Sequence, residues 1–396
     1  MIDKEEIKQL AKANFEKIVS IRRHIHENPE LSYEEYNTAK YVAAQLREIG
    51  IEPTEGVANT GLTAVIKGKN PDKKVIALRA DMDALPILEA NDVPYKSKNE
   101  GVMHACGHDV HTASLLGAAS IMHAVKDKFE GTVKLIFQPG EEKNPGGASL
   151  MIKDGALKNP APSNIHGQHV MPLIPVGKVG FRSGMYMASA DEIYLTIKGK
   201  GGHGAIPELL TDQVLITSHI IVALQQIISR NASPKTPTVL SFGKVEAHGA
   251  TNIIPDEVKV AGTFRAMDEE WREKAHGLIT KMAKSIAEGM GAECDVNIDK
   301  GYPYLENDPE LTETSRKLAE DYMGQENVVD LPIWMGAEDF SYYSHEIPAC
   351  FYRLGTRNEA KGITSYVHTP TFNIDEKALE IGSGLMAWIA INTLGK

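Results

Sequence analysis

Short apolar segments alternate with stretches of helical periodicity in the first 180 residues, and this rhythm constrains the fold most. Residues 62–66, 75–78 and 133–137 are runs of mainly apolar side chains flanked by glycine or polar residues. Such runs are typical of strands buried on both faces of a sheet. A helix rich in Ala and Leu is predicted over 110–125, between the second and third runs. The alternation predicts an α/β fold, with a mostly parallel sheet flanked by helices.

The rhythm changes at about residue 183. The elements that follow occur in the order β-α-β-β-α-β, which is the order of a ferredoxin-like unit. They are predicted at 191–198, 209–228, 239–246, 258–264, 270–290 and 293–299. Because the first rhythm resumes after residue 302, we expect one domain made of residues 1–184 and 301–396. An α+β domain at 185–300 would be inserted into it.

The composition is that of an ordinary globular chain. Among 396 residues, 42 Lys and Arg stand against 53 Asp and Glu, and the formal charge is −11. Without a basic stripe, nucleic acid is not an expected partner. No apolar run approaches the roughly 18 residues of a membrane span, and the N-terminus reads as a charged helix rather than a signal peptide. Three cysteines form an odd and sparse set. They favour a reducing compartment, so we expect a cytoplasmic protein.

Residues 103–111 read MHACGHDVH and concentrate three histidines, one cysteine and one aspartate. Cys106 and His108 are two positions apart, and both residue types bind transition metals such as zinc. The alternative is a polar loop with one buried thiol and surface histidines. We favour a metal site because other parts of the chain supply matching carboxylates and imidazoles.

Acidic residues follow two of the predicted strands. Asp81 and Asp83 come after the second strand, and Glu141 and Glu142 come after the third. Ligand sites in open α/β sheets gather at the carboxyl ends of strands, although such residues also serve as turn caps or solvated loop residues. Adjacent glutamates point in different directions. One can therefore bind a metal while its neighbour faces a substrate.

Further histidines lie outside this cluster. His166 and His169 follow a Pro-rich loop in the segment NIHGQHVMP, and His368 lies in YVHTPTF near the end of the chain. These three are candidate ligands. His24 and His26 precede the break at Pro29, and we interpret both as surface or capping residues.

Seven motifs in order, RADMDALP, MHACGHDVH, QPGEE, QHVMP, GKGGHGAIP, GAEDF and VHTP, resemble the binuclear-metal aminoacylase and carboxypeptidase family. Within that family, the chain resembles the branch with hippurate hydrolase, N-acyldiaminopimelate deacetylase and the plant indole-acetyl-amino-acid hydrolases. The match runs from RRHIHENPELSYEE to His368. The resemblance implies a metallopeptidase-like catalytic domain that holds two metal ions, together with an inserted lid and dimerisation domain.

The resemblance also implies roles for individual residues. Glu141 matches the general base, and the histidine directly before Val in HVMP matches a ligand, which leaves His166 outside the metal shell. Gln168 departs from the family pattern, where an apolar residue is expected. The implied metal ligands are Cys106, His108, Glu142, His169 and His368.

Residues around the implied ligands are given supporting roles. Asp83 and Asp109 resemble groups that orient ligating histidines. Asp81 stands where other branches place a ligand, so its role is left open. His104 and His111 are expected to pack or to face solvent.

The inserted domain carries candidates of its own. His203, in a glycine-rich loop, resembles the lid histidine that reaches the oxyanion of the tetrahedral intermediate. Asn252 and Arg265 resemble groups that bind the substrate carboxylate, for which Arg offers a planar fork. The alternative for each is an ordinary surface residue of a small sandwich. Because the lid histidine comes from the partner subunit in some relatives, we expect a homodimer formed through the lid domain.

Amide hydrolysis needs a nucleophilic water, a stabilised oxyanion and a proton for the departing amine. Two divalent metal ions can activate the water, and a glutamate that is not a ligand keeps its basicity for proton transfer. We therefore expect hydrolysis of N-acyl amino acids, with Zn²⁺ favoured and Mn²⁺, Co²⁺ or Ni²⁺ as alternatives. A carboxypeptidase or dipeptidase would use the same groups. A metal-stabilised binding protein without catalysis is the alternative from another class, but it would have no use for Glu141.

Overall fold

The computed structural model describes residues 2–395, whose contacts form two compact units. The first contains the described chain through Tyr186, Glu306–Ile333 and the chain from Asp339 onward. The second contains Met187–Leu305 and Trp334–Glu338, so it is an insertion in the first. The catalytic and lid roles expected for two such domains stay predictions.

The elements of both units are numbered here in chain order. The strands are β1 (Thr54–Val57), β2 (Gly61–Lys67), β3 (Val75–Asp81), β4 (Thr132–Gln138), β5 (Ile165–Pro175), β6 (Val179–Phe181), β7 (Gly184–Met187), β8 (Asp191–Lys198), β9 (Gly202–His203), β10 (Thr238–Ala247), β11 (Ile253–Ile254), β12 (Glu257–Ala266), β13 (Glu293–Lys300), β14 (Leu305–Asn307), β15 (Val328–Asp330) and β16 (Ala349–Arg357). The α-helices are α1 (Lys4–Glu27), α2 (Tyr36–Ile49), α3 (His108–Ala124), α4 (Gly147–Lys153), α5 (Gln213–Gln226), α6 (Glu269–Gly289), α7 (Pro309–Met323), α8 (Ser341–Ser344) and α9 (Lys377–Leu394).

An eight-stranded sheet forms the centre of the first unit, in the order β1-β2-β4-β3-β5-β16-β6-β15. The central pairs β4–β3, β3–β5 and β5–β16 are parallel, as is β6–β15. The pairs β1–β2, β2–β4 and β6–β16 are antiparallel. The predicted α/β architecture with a mostly parallel sheet and flanking helices is confirmed.

The helices of the first unit begin and end where the local sequence requires it. The carboxylate of Asp3 accepts the N–H of Glu5 at the start of α1, and α1 ends just before Pro29, which cannot continue a helix. Gly50 closes α2 with a φ of +91°. Helix α3 is buried along nearly its whole length and contacts both α1 and α9. The turn that precedes α3 is therefore held on several sides.

The second unit is a four-stranded antiparallel sheet in the order β10-β12-β8-β13, with α5 and α6 packed against it. Ile193, Leu195 and Ile197 of β8 are buried, and the residues between them are more exposed. That alternation fits a sheet with one covered face. The predicted ferredoxin-like insertion is confirmed.

The sheet of the first unit also determines where polar groups can meet. Strands β4, β3 and β5 are parallel neighbours, so their carboxyl ends lie at one edge. Among the described residues, no helix is both long enough and apolar enough to span a membrane.

Candidate metal centre

The five predicted ligands converge at this edge of the sheet. The Sγ atom of Cys106 lies 3.5 Å from Nε2 of His169 and 3.3 Å from Nε2 of His368. Ligand atoms lie within 4.8 Å of one another in each of three overlapping groups, which are Cys106 with His108 and His169, Cys106 with Glu142 and His368, and His108 with Glu141 and Glu142. Cysteine, imidazole and carboxylate thus surround a single volume.

Separate elements supply these side chains. Cys106 and His108 flank Gly107, whose φ of +86° forms the turn into α3. A Cβ at that glycine would lie 2.6 Å from Cγ2 of Val170, so only glycine allows the turn to approach β5. The backbone N–H of His368 donates to the carbonyl oxygen of Ala105 at 2.8 Å. This bond brings a loop late in the sequence to the same turn.

Asp83 is the hydrogen-bond centre of the site. Its Oδ1 accepts from Nδ1 of His108 at 3.1 Å and from the backbone N–H of Glu141 at 3.0 Å. Its Oδ2 accepts from the backbone N–H of Glu142 at 3.0 Å and from the hydroxyl of Ser32 at 2.6 Å. Burial favours a higher pKa for Asp83, but the bond from His108 holds that pKa below its usual value. One buried carboxylate therefore orients a histidine and both glutamates.

Two buried atoms in the cluster lack a hydrogen bond. These atoms are Nε2 of His108 and Oε1 of Glu142. Nε2 of His368 lies only 3.2 Å from Oε1 of Glu142, but the contact lacks hydrogen-bond geometry. An unsatisfied buried polar atom costs about 1–3 kcal/mol. A bound divalent cation would accept lone pairs from both atoms, so these residues fit a metal ion.

The charges around the cluster also favour a cation. Burial lowers the pKa of His108, but Asp81 and Asp83 raise it to about 10. Burial and the charge of Glu142 raise the pKa of the Cys106 thiol well above its usual value. Burial, together with the charge of Arg353, holds the pKa of His169 well below its usual value, so its imidazole is neutral, as a ligand must be.

Both carboxylate oxygens of Asp81 accept hydrogen bonds, one from an arginine and one from a histidine. Its Oδ2 accepts from Nη1 of Arg79 at 2.6 Å, and its Oδ1 accepts from Nδ1 of His111 at 2.6 Å. Nε2 of His111 in turn accepts the backbone N–H of Val170 at 2.9 Å. Asp81 and His111 therefore connect β3 to the part of β5 that carries His169. The ligand atoms of Asp81, His108 and His111 also lie within 4.8 Å of one another, so the role of Asp81 stays open between anchor and ligand.

Asp109 contacts different partners from those expected. Its Oδ2 accepts from Nε of Arg22 at 2.7 Å and lies 2.8 Å from Nδ1 of His26, rather than orienting a ligand histidine. Nε2 of His26 lies 3.1 Å from Oε1 of Glu89. The interpretation of His26 as a surface or capping residue is wrong because its side chain is buried, whereas His24 is exposed.

Glu141 is buried beside the ligand atoms. Its Oε1 accepts the backbone N–H of Asp339 at 3.4 Å, and its Oε2 lies 4.0 Å from Nε2 of His108. The carboxylate of Asp339 binds Nη2 of Arg79 at 2.7 Å. A carboxylate next to the cluster, held by its backbone and by a neighbouring amide, is suited to proton transfer.

Several residues of this site were not identified from the sequence. Ser32, Tyr33 and Glu35 follow α1. Tyr33 and Glu35 contact the turn that carries the glutamate pair, and Ser32 donates to Asp83. Only their position in RRHIHENPELSYEE, within the range of the family match, pointed to them. Arg79 is the first residue of the motif RADMDALP, but no role was predicted for it.

The candidates in the second unit are partly brought together. His203 of β9 pairs with Ile253 of β11, and the N–H of Gly204 donates to the carbonyl oxygen of Asn252 at 2.9 Å. His203 and Asn252 are therefore neighbours, and both are exposed. Arg265 lies half-buried in β12, where its Nε donates to Thr263 Oγ1 at 3.1 Å.

His104 and His166 lie outside the cluster. Both are buried, and burial lowers the pKa of each to about 3. Nε2 of His166 lies 3.0 Å from Oγ of Ser315. Neutral, enclosed imidazoles of this kind are packing residues.

The chain is similar to known proteins over nearly its whole length. The model of Peptidase family M20/M25/M40 matches residues 77–392. Thermostable carboxypeptidase 2 of Saccharolobus solfataricus is 41% identical over 395 residues, covering 99% of this chain and 99% of that protein. N-acetyl-L-cysteine deacetylase of Bacillus subtilis is 39% identical over 377 residues, covering 95% of this chain and 88% of that protein.

A solved structure extends the similarity to the fold. A dinuclear metal binding peptidase of the M20 family from Bacillus subtilis has a TM-score of 0.83 and 35% identity. The alignment covers 97% of this chain and 99% of that one. The resemblance to the binuclear-metal aminoacylases and carboxypeptidases is thus confirmed. The chain belongs to Peptidase family M20/M25/M40 and is a hydrolase that acts on amide bonds.

Proposed function

We propose that this protein hydrolyses the amide bond of N-acyl amino acids, with Glu141 as general base. The observation that carries the proposal is the glutamate pair at the end of β4. Glu142 lies in a group with Cys106 and His368. The neighbouring Glu141 lies beside this group, with its Oε2 4.0 Å from Nε2 of His108, and Asp83 holds the backbone of both glutamates. A site that only bound metal would not need the second carboxylate.

The residues proposed to hold two divalent ions are Cys106, His108, Glu142, His169 and His368. When bound, such ions polarise the substrate carbonyl and lower the pKa of a water molecule. A thiolate, three imidazoles and a carboxylate suit zinc, and Mn²⁺, Co²⁺ and Ni²⁺ are alternatives. The name of the similar Bacillus subtilis structure, a dinuclear metal binding peptidase, supports two ions rather than one.

Glu141 would move one proton in each turnover. It takes a proton from the attacking water as the C–O bond forms, and it gives that proton to the amide nitrogen as the C–N bond breaks. The new carboxylic acid loses the second proton of the water, and the free amine takes up a proton at neutral pH, so the products are a carboxylate and an ammonium group. General acid–base catalysis of this kind contributes about 10²- to 10⁴-fold.

The second unit is proposed to act as a lid that recognises the substrate. His203 would contact the developing oxyanion, and Asn252 and Arg265 would bind the carboxylate of the amino acid. The pairing of β9 with β11, which makes His203 and Asn252 neighbours, supports a shared role. A homodimer formed through this unit and a cytoplasmic location are also proposed, the latter because the three cysteines are free thiols.

A carboxypeptidase is the second candidate function. It is favoured by the similarity over nearly the full chain to Thermostable carboxypeptidase 2. Both reactions cleave an amide next to a free carboxylate, so they share every residue proposed above. They differ in the group on the acyl side, which is an acyl chain in one case and a peptide in the other.

A hydrolysis screen tests the proposal. Purified protein loaded with Zn²⁺, Mn²⁺ or Co²⁺ would be given N-acetyl, N-benzoyl and indole-acetyl amino acids and dipeptides. Faster release of amino acids from N-acyl substrates supports the aminoacylase, and faster cleavage of dipeptides favours the second candidate. Activity that survives complete removal of metal would refute the mechanism.

Two adjacent substitutions form a matched pair for the mechanism. Glu141→Gln should keep the wild-type metal content and lose at least about 10²-fold in kcat. Glu142→Gln should lose metal, because it removes a ligand. If Glu141→Gln keeps full activity with metal bound, Glu141 is not the base.

A further inference from the structure

The loop between α1 and α2 lies against the turn that carries Glu141. This turn, residues 139–146, connects β4 to α4 and has no regular secondary structure of its own. Within the turn, the N–H of Gly146 donates to the carbonyl oxygen of Lys143 at 3.0 Å. Other buried donors need acceptors elsewhere, because buried N–H groups are rarely left unpaired. Residues 32–35 supply several of these contacts.

Three consecutive amides of the turn donate to buried carboxylates. The N–H of Gly140 donates to Oε1 of Glu35 at 2.7 Å. The next two N–H groups, those of Glu141 and Glu142, donate to Oδ1 and Oδ2 of Asp83 at 3.0 Å each. Two carboxylates thus fix the backbone on both sides of the proposed base.

Glu35 reaches this position from the start of α2 and is fully buried. Its Oε1 also accepts the N–H of Tyr33 at 2.9 Å, and its Oε2 accepts the hydroxyl of Thr60 at 2.6 Å. Burial, together with the charge of Asp83, raises the pKa of Glu35 to about 7. The bond to the turn, from the N–H of Gly140, uses Oε1, so it needs an acceptor at that position and no net charge.

Tyr33 holds the same turn at two further points. Its hydroxyl donates to the carbonyl oxygen of Lys143 at 2.6 Å and accepts the N–H of Gly146 at 3.1 Å. Its ring lies where a Cβ of Gly140 would be, and Gly140 has a φ of +58°. The loop therefore holds the turn at its beginning and near its end.

We propose that Glu35 is a positioning residue for the reaction, which fixes Glu141 through the hydrogen bond from the N–H of Gly140. This inference rests on the proposed function of Glu141 as general base. Catalytic groups must be held within about 0.5 Å of their productive position. A misplacement of about 1 Å can cost 10²-fold in rate. The bond from Gly140 to Glu35 adjoins the proposed base on its N-terminal side, where Asp83 makes no bond.

Two conservative substitutions distinguish the effect of the length of the Glu35 side chain from the effect of its charge. Glu35→Asp keeps the carboxylate but shortens the side chain, so the acceptor no longer reaches Gly140. Glu35→Gln keeps the length, with its amide oxygen toward Gly140 and its NH₂ toward the Thr60 hydroxyl, which can turn to accept. Thr60→Val is the matched control, because it removes a buried hydrogen bond to Glu35 without touching the turn.

With the metal-loaded enzyme, Glu35→Asp should lower kcat by about 10- to 100-fold, the range typical of residues that support a metal site. Its KM and metal content should stay within twofold of wild type. Glu35→Gln and Thr60→Val should keep kcat within about threefold. An inactive Glu35→Gln beside an active Glu35→Asp would overturn the proposal, as would equal losses in Glu35→Asp and Thr60→Val.

Hydrogen exchange of the peptide that contains residues 138–147 gives a readout independent of activity. Glu35→Asp should lose protection there, while Glu35→Gln and Thr60→Val should keep it. Unchanged protection in Glu35→Asp would refute the proposal that Glu35 holds the turn, even if Glu141 acts as the general base. If the wild-type protein cleaves no amide, the proposed function fails, and the exchange pattern alone decides whether Glu35 holds the turn.

Discussion

Replacement of Asp83 by asparagine tests the hydrogen-bond centre of the site. All four donors to Asp83 are fixed in place: the imidazole of His108, the backbone N–H groups of Glu141 and Glu142, and the Ser32 hydroxyl. An asparagine offers one oxygen and one NH₂ group in the same space. Whichever way it turns, a backbone N–H meets another donor.

The less harmful orientation places the amide oxygen toward His108 and Glu141. The NH₂ group then faces the hydroxyl of Ser32, which can accept, and the N–H of Glu142, which cannot. The hydrogen bond from the N–H of Glu142 is lost, and His108 then donates to a neutral amide oxygen instead of a charged carboxylate. Hydrogen bonds to charged groups contribute about 1.5–3 kcal/mol each, and about 1.4 kcal/mol corresponds to tenfold in an equilibrium constant. We therefore expect metal affinity to fall 10- to 100-fold.

The assay is a competition titration of Zn²⁺ against a chelator, followed with wild type, Asp83→Asn and Ser32→Ala. The serine variant removes one donor to the same carboxylate but leaves His108 and both glutamates in place. It should cost about 1 kcal/mol of unfolding free energy while the affinity changes little. An Asp83→Asn protein that is folded and binds Zn²⁺ within twofold of wild type would refute the reasoning.

Three further outcomes are expected. Gly140→Ala should lower the free energy of unfolding by about 1–3 kcal/mol and should also lower kcat, because the new methyl group overlaps the ring of Tyr33. Thermal denaturation measures the first effect, and steady-state kinetics measures the second. Burial and Arg22 act to lower the pKa of His26, but the bonds to Asp109 and Glu89 raise it overall. The stability this histidine contributes is therefore present below its ordinary pKa of about 6.5 and is lost as pH rises through the raised value. His26→Leu should destabilise the protein by about 3–5 kcal/mol at pH 6 and by less at pH 9 in chemical denaturation, and an equal loss at both would contradict the assignment. Arg265→Ala should raise KM for substrates with a free carboxylate far more than for the corresponding neutral amides, and equal effects would exclude a role in carboxylate binding.

The convergence of the metal cluster could be predicted because it follows from sheet geometry. Acidic residues directly after β3 and β4 must meet when those strands are parallel neighbours, and the turn of Cys106 leads into the helix that packs beside them. His368 is different, since it lies 262 residues away from Cys106. From the residues alone it was one candidate among several histidines, and the resemblance selected it. No local pattern specifies which distant loop returns to a given strand end.

The partners of buried charges could not be predicted for the same reason. Asp109 and His26 are 83 residues apart, and the pair forms because α1 and α3 pack together. Periodicity did contain part of the answer, because Ile18, Arg22 and His26 recur every four residues and lie on the buried face of α1. A histidine on the apolar face of a helix is buried, even when it stands just before a proline break.

The two groups of proposed site residues differ in how firmly they are held, and this difference explains why the family motifs do not specify a substrate. The centre depends on buried bonds such as those of Asp83 and Asp81, so a change in one ligand would leave other buried groups unsatisfied. His203 and Asn252 are exposed and are held by a short two-stranded pairing. Exposed positions of this kind tolerate substitution. The buried centre can therefore stay the same while the residues proposed to bind the substrate carboxylate change, which is why the motifs alone do not select a substrate.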